Sequence, residues 1–267
     1  MGASSTTSID SYGWSVTWCR AFPTLLDLFC DTAELAHQLR PLAWTTLYPN
    51  DKTAVVSRRD VEESHVIEWQ HSLGYGEIDP DTVCYLMHWL KTNGLILRVP
   101  HDGQNTTIFD LGSGDGKVIL ATALSLTAET PTAMTKISNA TTTLVGFEIV
   151  PHLHNQALTR MQTYARDMGS ETNHHIVIHL TCDDFTRHQA RIARDADLIW
   201  IHATVFEDAL FHKVQEICAA CRSGTLFIVI SRPMQNSAIE TILSKRLKMS
   251  WGDGMVFVQR RRQRIMS

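Results

Sequence analysis

The sequence predicts an α/β protein: a Rossmann-like, mostly parallel sheet with a C-terminal antiparallel hairpin, plus a small helical N-terminal lobe. Three observations predict it. Short apolar runs alternate with helical patterns, the signature of successive βαβ units. The run Ile108-Phe109-Asp110-Leu111 is followed by Gly112-Ser113-Gly114-Asp115-Gly116-Lys117 and then a helical pattern, which reads as a buried strand, a tight turn and a helix N-terminus. Near the end, two β-prone runs flank Gly252-Asp253-Gly254 as a hairpin does.

The elements follow in order. Residues 1 to about 15 are polar and Ser/Thr-rich, an expected mobile start. Helical spacing over residues 22–39, and again over 61–70, gives the expected lobe across residues 1–72, with the larger domain over 73–267. Asp79 is placed to cap a helix whose first residue is Pro80, and Asn93-Gly94 ends it. Strand one is followed by its helix and by a Thr-rich insertion over 127–143. Strand two covers 144–148, and a helix runs over 150–165. Strand three spans 175–180 and strand four 197–201. A helix over 207–221 leads to strand five at 225–230.

Composition narrows the class. The chain has 267 residues, 44% of them hydrophobic, and no apolar run near the roughly 18 residues of a membrane span. No secretory signal is expected, while Met1-Gly2-Ala3-Ser4-Ser5-Thr6 fits the loose N-myristoylation pattern. Six scattered cysteines do not make a disulfide framework and imply a reducing compartment. Cys218-Ala219-Ala220-Cys221 has redox or zinc spacing but ends an apolar helical stripe, which favours two buried cysteines. No metal site is expected. A net charge of −4 speaks against general coating of nucleic acid. Lys245, Arg246, Lys248, Arg260, Arg261, Arg262 and Arg264 nevertheless make the C-terminal end basic, either as a solvated tail or as a patch for phosphate or an acidic surface.

Two ligand classes compete for the glycine turn. A dinucleotide site prefers G-x-G-x-x-G, whereas the spacing here is G-x-G-x-G with Asp110 before the first glycine. Glu148, ending strand two, is suited to a ribose diol, and Asp184-Phe185 after strand three to an adenine amino group and ring. These groups offer places for an adenosine without a pyrophosphate site. That favours S-adenosylmethionine over NAD.

At this point the chain resembles the non-SET, class I-fold histone lysine methyltransferases named for disruption of telomeric silencing. The resemblance rests on Tyr75-Gly76-Glu77, Phe109-Asp110-Leu111-Gly112-Ser113-Gly114, Val145-Gly146-Phe147-Glu148, Asp184-Phe185, Ser231-Arg232-Pro233 and Ser250-Trp251, in that order. It implies a class I S-adenosylmethionine-dependent methyltransferase fold. It further implies that Tyr75, Gly76, Glu77, Ile78, Asp110, Leu111, Gly112, Ser113, Gly114, Asp115, Gly116, Lys117, Glu148, Asp184 and Phe185 hold the cofactor. The implied activity is methylation of a lysine on the globular face of histone H3 in nucleosomes, in the nucleus. Arg260, Arg261, Arg262 and Arg264 would then contact DNA phosphate or an acidic histone patch.

One departure follows strand four. The family carries an Asn-Asn pair there, and this chain has His202-Ala203-Thr204-Val205-Phe206. His202 stands where the first Asn would line the transfer centre. An imidazole titrating near 6.5 is fitted to assist lysine deprotonation, although a histidine packed at a strand end is the plain alternative. Phe206, Ser231, Trp251 and Phe257 are the candidates for an apolar lysine channel, each with core packing as its alternative. Two other functions stay open on the residues: methylation of a non-histone lysine, and cofactor binding without catalysis.

Overall fold

In the computed structural model, the described residues are 9–10, 13–18, 78–96, 105–128, 141–168, 175–249 and 251–263. The strands are β1 (Ile9–Asp10), β2 (Gly13–Trp18), β3 (Thr106–Leu111), β4 (Thr141–Glu148), β5 (His175–Cys182), β6 (Leu198–His202), β7 (Leu226–Ile230), β8 (Ile239–Met249) and β9 (Gly252–Arg261). Between them lie α1 (Pro80–Thr92), α2 (Lys117–Ala128), α3 (Pro151–Met168), α4 (Gln189–Asp195) and α5 (Asp208–Ala220).

The sheet order is β1-β2-β5-β4-β3-β6-β7-β9-β8. Strands β5, β4, β3, β6 and β7 are parallel, and β9 and β8 close one edge antiparallel. The chain winds outward from β3 through β4 to β5, then returns to β6 on the other side. This puts the topological switch point, where open α/β sheets bind ligands, at the C-terminal end of β3.

Side chains alternate across the sheet, as a strand period of two requires. Ile108, Leu144, Leu198, Trp200, Leu226, Ile228 and Ile230 face a core shared with Leu86, Met87 and Leu90 of α1 and Ile119 and Leu120 of α2. Phe109, Leu111, Val145, Phe147, Ile199, Ile201, Phe227 and Val229 face the opposite core, filled by Ile192 of α4 and Leu210, Val214 and Ile217 of α5. Near-continuous apolar strands are what a parallel sheet covered on both faces demands. The cap on α1 is as expected: the Asp81 N–H donates to Asp79 Oδ1 at 3.0 Å, and Gly94 turns at φ 63°.

Three expectations change. Met249 pairs with Gly252, so Gly252-Asp253-Gly254 belongs to β9 and not to the hairpin's turn. A Cβ on Gly254 would meet Met249 Cγ at 2.9 Å, so the glycine makes room for the partner strand's side chain instead of forming the turn. β8 is longer than its apolar end suggested, since Lys245, Arg246 and Lys248 lie on an exposed edge strand. Near the N-terminus, where mobility was expected, β2 pairs antiparallel with β5. The helical patterns over 22–39 and 61–70 lie outside the described residues, as do Cys19 and Cys30. Cys218 and Cys221 are buried, Cys221 Sγ facing the Ile217 carbonyl at 3.4 Å, and no group of metal ligands exists among the described residues.

Candidate active site

The glycine turn sits at the switch point. Gly112, Gly114 and Gly116 have φ of 84°, 54° and 86°, a left-handed path open to residues without a Cβ. The N–H groups of Gly112 and Ser113 donate to the Phe147 carbonyl at 3.0 and 2.8 Å, folding the turn over the end of β4. Glu148 braces it from below: Gly114 N donates to Oε2 at 2.7 Å and Val150 N to Oε1 at 2.8 Å. Both carboxylate oxygens are thus engaged, while the spare lone pairs of a carboxylate leave room for further donors. Asp115 forms an ion pair with Arg160, tying the turn to α3.

Gly146 explains how closely the turn lies on the sheet. A Cβ there would stand 2.8 Å from Ser113 Oγ and 2.8 Å from Leu180 Cδ2. Gly146→Ala is expected to cost about 1–3 kcal/mol, as overpacking does, and to displace Ser113. A lower melting temperature together with weakened cofactor binding is the result to look for.

Over the turn lies a pocket, partly open to solvent, lined by Ile78, Asp110, Gly112, Ser113, Gly114, Asp115, Lys117, Val118, Trp200, Ile201, His202 and Ile230. Asp110 is 3% exposed, and its Oδ2 has no hydrogen-bond partner. Burial, and secondarily the negative Glu148, raise its carboxyl from 3.8 to about 8. Glu148 is raised to about 7, chiefly by burial, with the Val150 and Gly114 N–H groups pulling the other way. An orphaned acid beside an open backbone turn fits a ligand carrying a positive amine.

Of the residues read from sequence as cofactor-binding, Ile78, Asp110, Gly112, Ser113, Gly114, Asp115 and Lys117 line the cavity. Tyr75, Gly76 and Glu77 lie outside the described residues. Leu111 is buried in the second core, and Gly116 packs against α3, where a Cβ would meet Ala157 Cβ at 3.1 Å. Asp184 Oδ1 accepts from Thr186 N at 2.8 Å and so caps the short 3-10 turn that carries Phe185. The Phe185 and Phe206 rings stack at 6.1 Å.

Among the expected channel residues, His202 lines the cavity and its ring lies 5.2 Å from that of Trp251, which is 45% exposed. Ser231 holds a left-handed φ of 78°, unusual for a residue with a side chain, and shares a 2.7 Å hydrogen bond with Thr204. Next to it, Arg232 donates to the Phe206 carbonyl and, at 2.7 Å, to Asp208 Oδ1, while its guanidinium lies 4.1 Å from the Phe211 ring centre. These contacts fix the β6–α5 loop. Phe257 is placed differently: opposite Val229 on β7, it packs against the second core and is not among the cavity-lining residues. Sequence reasoning missed Trp200, in the middle of β6 opposite Asp110, and Ile230 at the end of β7; alternation marks both as core, yet both line the cavity.

Comparison with curated proteins gives no match. Among solved structures, the chain is similar to a putative O-methyltransferase from Klebsiella pneumoniae, at 13% identity over 85% of this chain and 100% of that one, with a TM-score of 0.46. It is also similar to the O-methyltransferase from Bacillus cereus in complex with SAH, at 12% identity over 84% and 100%, with a TM-score of 0.44. A third is TrmN from Thermus thermophilus, at 13% identity over 76% and 53%, with a TM-score of 0.46. The family model described as histone methylation protein DOT1 matches residues 72–250, most of the chain. With a class I sheet, a glycine turn at its switch point and that match, the chain belongs to the DOT1 histone methylation family and is an S-adenosylmethionine-dependent methyltransferase.

Proposed function

We propose that this protein methylates a lysine on the globular face of histone H3 in nucleosomes, in the nucleus. The observation that supports the reading is a cavity lined by the orphaned Asp110 and by His202, whose ring stands 5.2 Å from that of the exposed Trp251. When bound, S-adenosylmethionine supplies an electrophilic methyl group on a sulfonium. The glycine turn and Lys117 at the positive N-terminus of α2 favour its carboxylate, and Asp110 its ammonium. Glu148 keeps the turn in shape and offers its remaining lone pairs to ribose hydroxyls; Asp184 and Phe185 face the adenine. His202, Phe206, Ser231 and Trp251 bound the acceptor side. An apolar channel lowers a lysine pKa and so supplies the neutral amine, and His202 takes up or passes on its proton.

For the partner surface, the C-terminal arginines divide. Arg260 is paired with Glu240 (2.8 Å), and Arg261 donates to the Ala219 carbonyl at the end of α5 (2.8 Å). Arg262 is exposed, and Arg264 lies outside the described residues. Arg260 sits opposite Leu226 at the start of β7, hence at the rim away from His202. Phosphate or acidic-patch contact is therefore assigned to Arg262 and Arg264, while Arg260 and Arg261 are engaged within the fold.

The test is transfer of labelled methyl from S-adenosylmethionine to nucleosomes, free histones or other nuclear protein. Label on H3 in nucleosomes, lost at least tenfold in His202→Ala with cofactor binding retained, is expected. Label on a non-histone protein alone would replace the substrate. Cofactor binding without transfer to any of them would replace the catalytic reading with a binding one.

A further inference from the structure

The cavity holds a second orphaned polar atom. Trp200 is 2% exposed, lines the cavity, and its indole Nε1 has no hydrogen-bond partner. Its Cα partner across the β3–β6 ladder is Asp110, whose Oδ2 is equally unpartnered. Adjacent strands lie about 4.8 Å apart, and paired residues project from the same face. A buried donor and a buried acceptor thus stand side by side at the floor of one cavity. Buried polar groups in folded proteins are normally satisfied, and leaving one unpaired is costly. A pair of opposite polarity is matched by a ligand group that carries both a cationic donor and an anionic acceptor on one carbon.

We infer that Trp200 is a cofactor-binding residue that donates its indole N–H to the α-carboxylate of S-adenosylmethionine, while Asp110 accepts from the α-ammonium of the same amino-acid end. This rests on the cavity being the cofactor site and names a contact within it. Depth assigns the contact to the cofactor over the acceptor lysine. His202, two residues further along β6, ends the strand and is only half-buried, whereas Trp200 lies one step deeper beside the glycine turn. Lys117, 6% exposed on the same cavity at the first residue of α2, adds positive charge for the same carboxylate. Together these residues make the site selective for an intact amino acid on the sulfonium.

Isothermal titration of S-adenosylmethionine and of decarboxylated S-adenosylmethionine into wild type and Trp200→Phe tests this. The variant keeps an aromatic ring and removes only the donor. A hydrogen bond to a charged group supports an expected loss of about tenfold or more for S-adenosylmethionine, with affinity for the decarboxylated analogue unchanged. Equal loss for both ligands, or no loss for either, overturns the inference. Failure of wild type to bind S-adenosylmethionine at all would instead overturn the cofactor site itself. Should Trp200→Phe not fold, indole-labelled wild type decides by NMR. One indole N–H resonance must move downfield with S-adenosylmethionine and not with the decarboxylated analogue, and identical spectra with both ligands refute the contact.

Discussion

Glu148→Ala will lower affinity for S-adenosylhomocysteine by about a hundredfold or more, measured by isothermal titration. The reason is only partly the loss of a ribose partner. Gly114 N and Val150 N both donate to this carboxylate at 2.7 and 2.8 Å, and Glu148 is 6% exposed, so the substitution leaves two enclosed N–H groups without acceptors. Each hydrogen bond to a charged group contributes about 1.5–3 kcal/mol, and about 2.7 kcal/mol already corresponds to a hundredfold in affinity. The turn will relax to find other acceptors, which also carries Ser113 off the β4 end. Glu148→Gln should be nearly as damaging. An amide offers one acceptor oxygen, and its NH₂ group would then face a backbone donor. A Glu148→Ala protein with wild-type affinity would mean that the turn is held by its bonds to Phe147 alone and that the ribose contact is misplaced.

Much of this site is legible in the sequence because its parts sit at strand ends, where apolar alternation stops and an unusual residue begins. Asp110, Glu148, Asp184 and His202 are such endings, and the register brings Asp110 and Glu148 close enough for one negative charge to affect the other. The less legible parts are those whose role depends on a neighbour that sequence spacing does not reveal. Trp200 is the middle of Leu-Ile-Trp-Ile-His and reads as core; only its pairing with Asp110 makes it a cavity wall. Phe257 reads as equal to Trp251, yet Phe257 lies within β9 and packs on the second core, while Trp251 stands outside the strand beside His202. The short helix Gln189–Asp195 carries three charged residues in seven and only Ile192 buried, too little apolar signal to call. Gly252-Asp253-Gly254 looks like a turn because glycine is the usual turn residue, but the demand at Gly254 is for space beside Met249.

The apo protein will lose stability as pH rises through neutrality, and Asp110→Asn will remove the share due to Asp110, leaving that due to the buried Glu148. Asp110 and Glu148 form a buried pair that disfavours two charges at once. Glu148 has backbone N–H donors on both oxygens and is the member better suited to ionise; Asp110 has an unpartnered oxygen and is the member that keeps its proton. Its folded-state value, about 8, lies above the ordinary 3.8. Between those limits the folded chain holds a proton that the unfolded chain has released. Stability contributed by that protonation is complete below about 4, and it declines as pH climbs towards 8. Beyond 8 both states are ionised and the decline ends. One pKa unit corresponds to about 1.4 kcal/mol, so the full excursion is on the order of several kcal/mol. For a domain of this size, each kcal/mol moves the melting temperature by roughly 2–4 °C. Melting wild type and Asp110→Asn from pH 5 to 9 should show the wild type falling by several degrees more than the variant. The variant should also melt higher at pH 8 while binding S-adenosylmethionine poorly, because the group that destabilises the empty site is the one that receives the ammonium. Saturating S-adenosylmethionine should flatten the wild-type profile, since a cation at Asp110 stabilises its ionised form. Parallel profiles for wild type and variant would place the proton elsewhere and leave Asp110 ionised without a ligand.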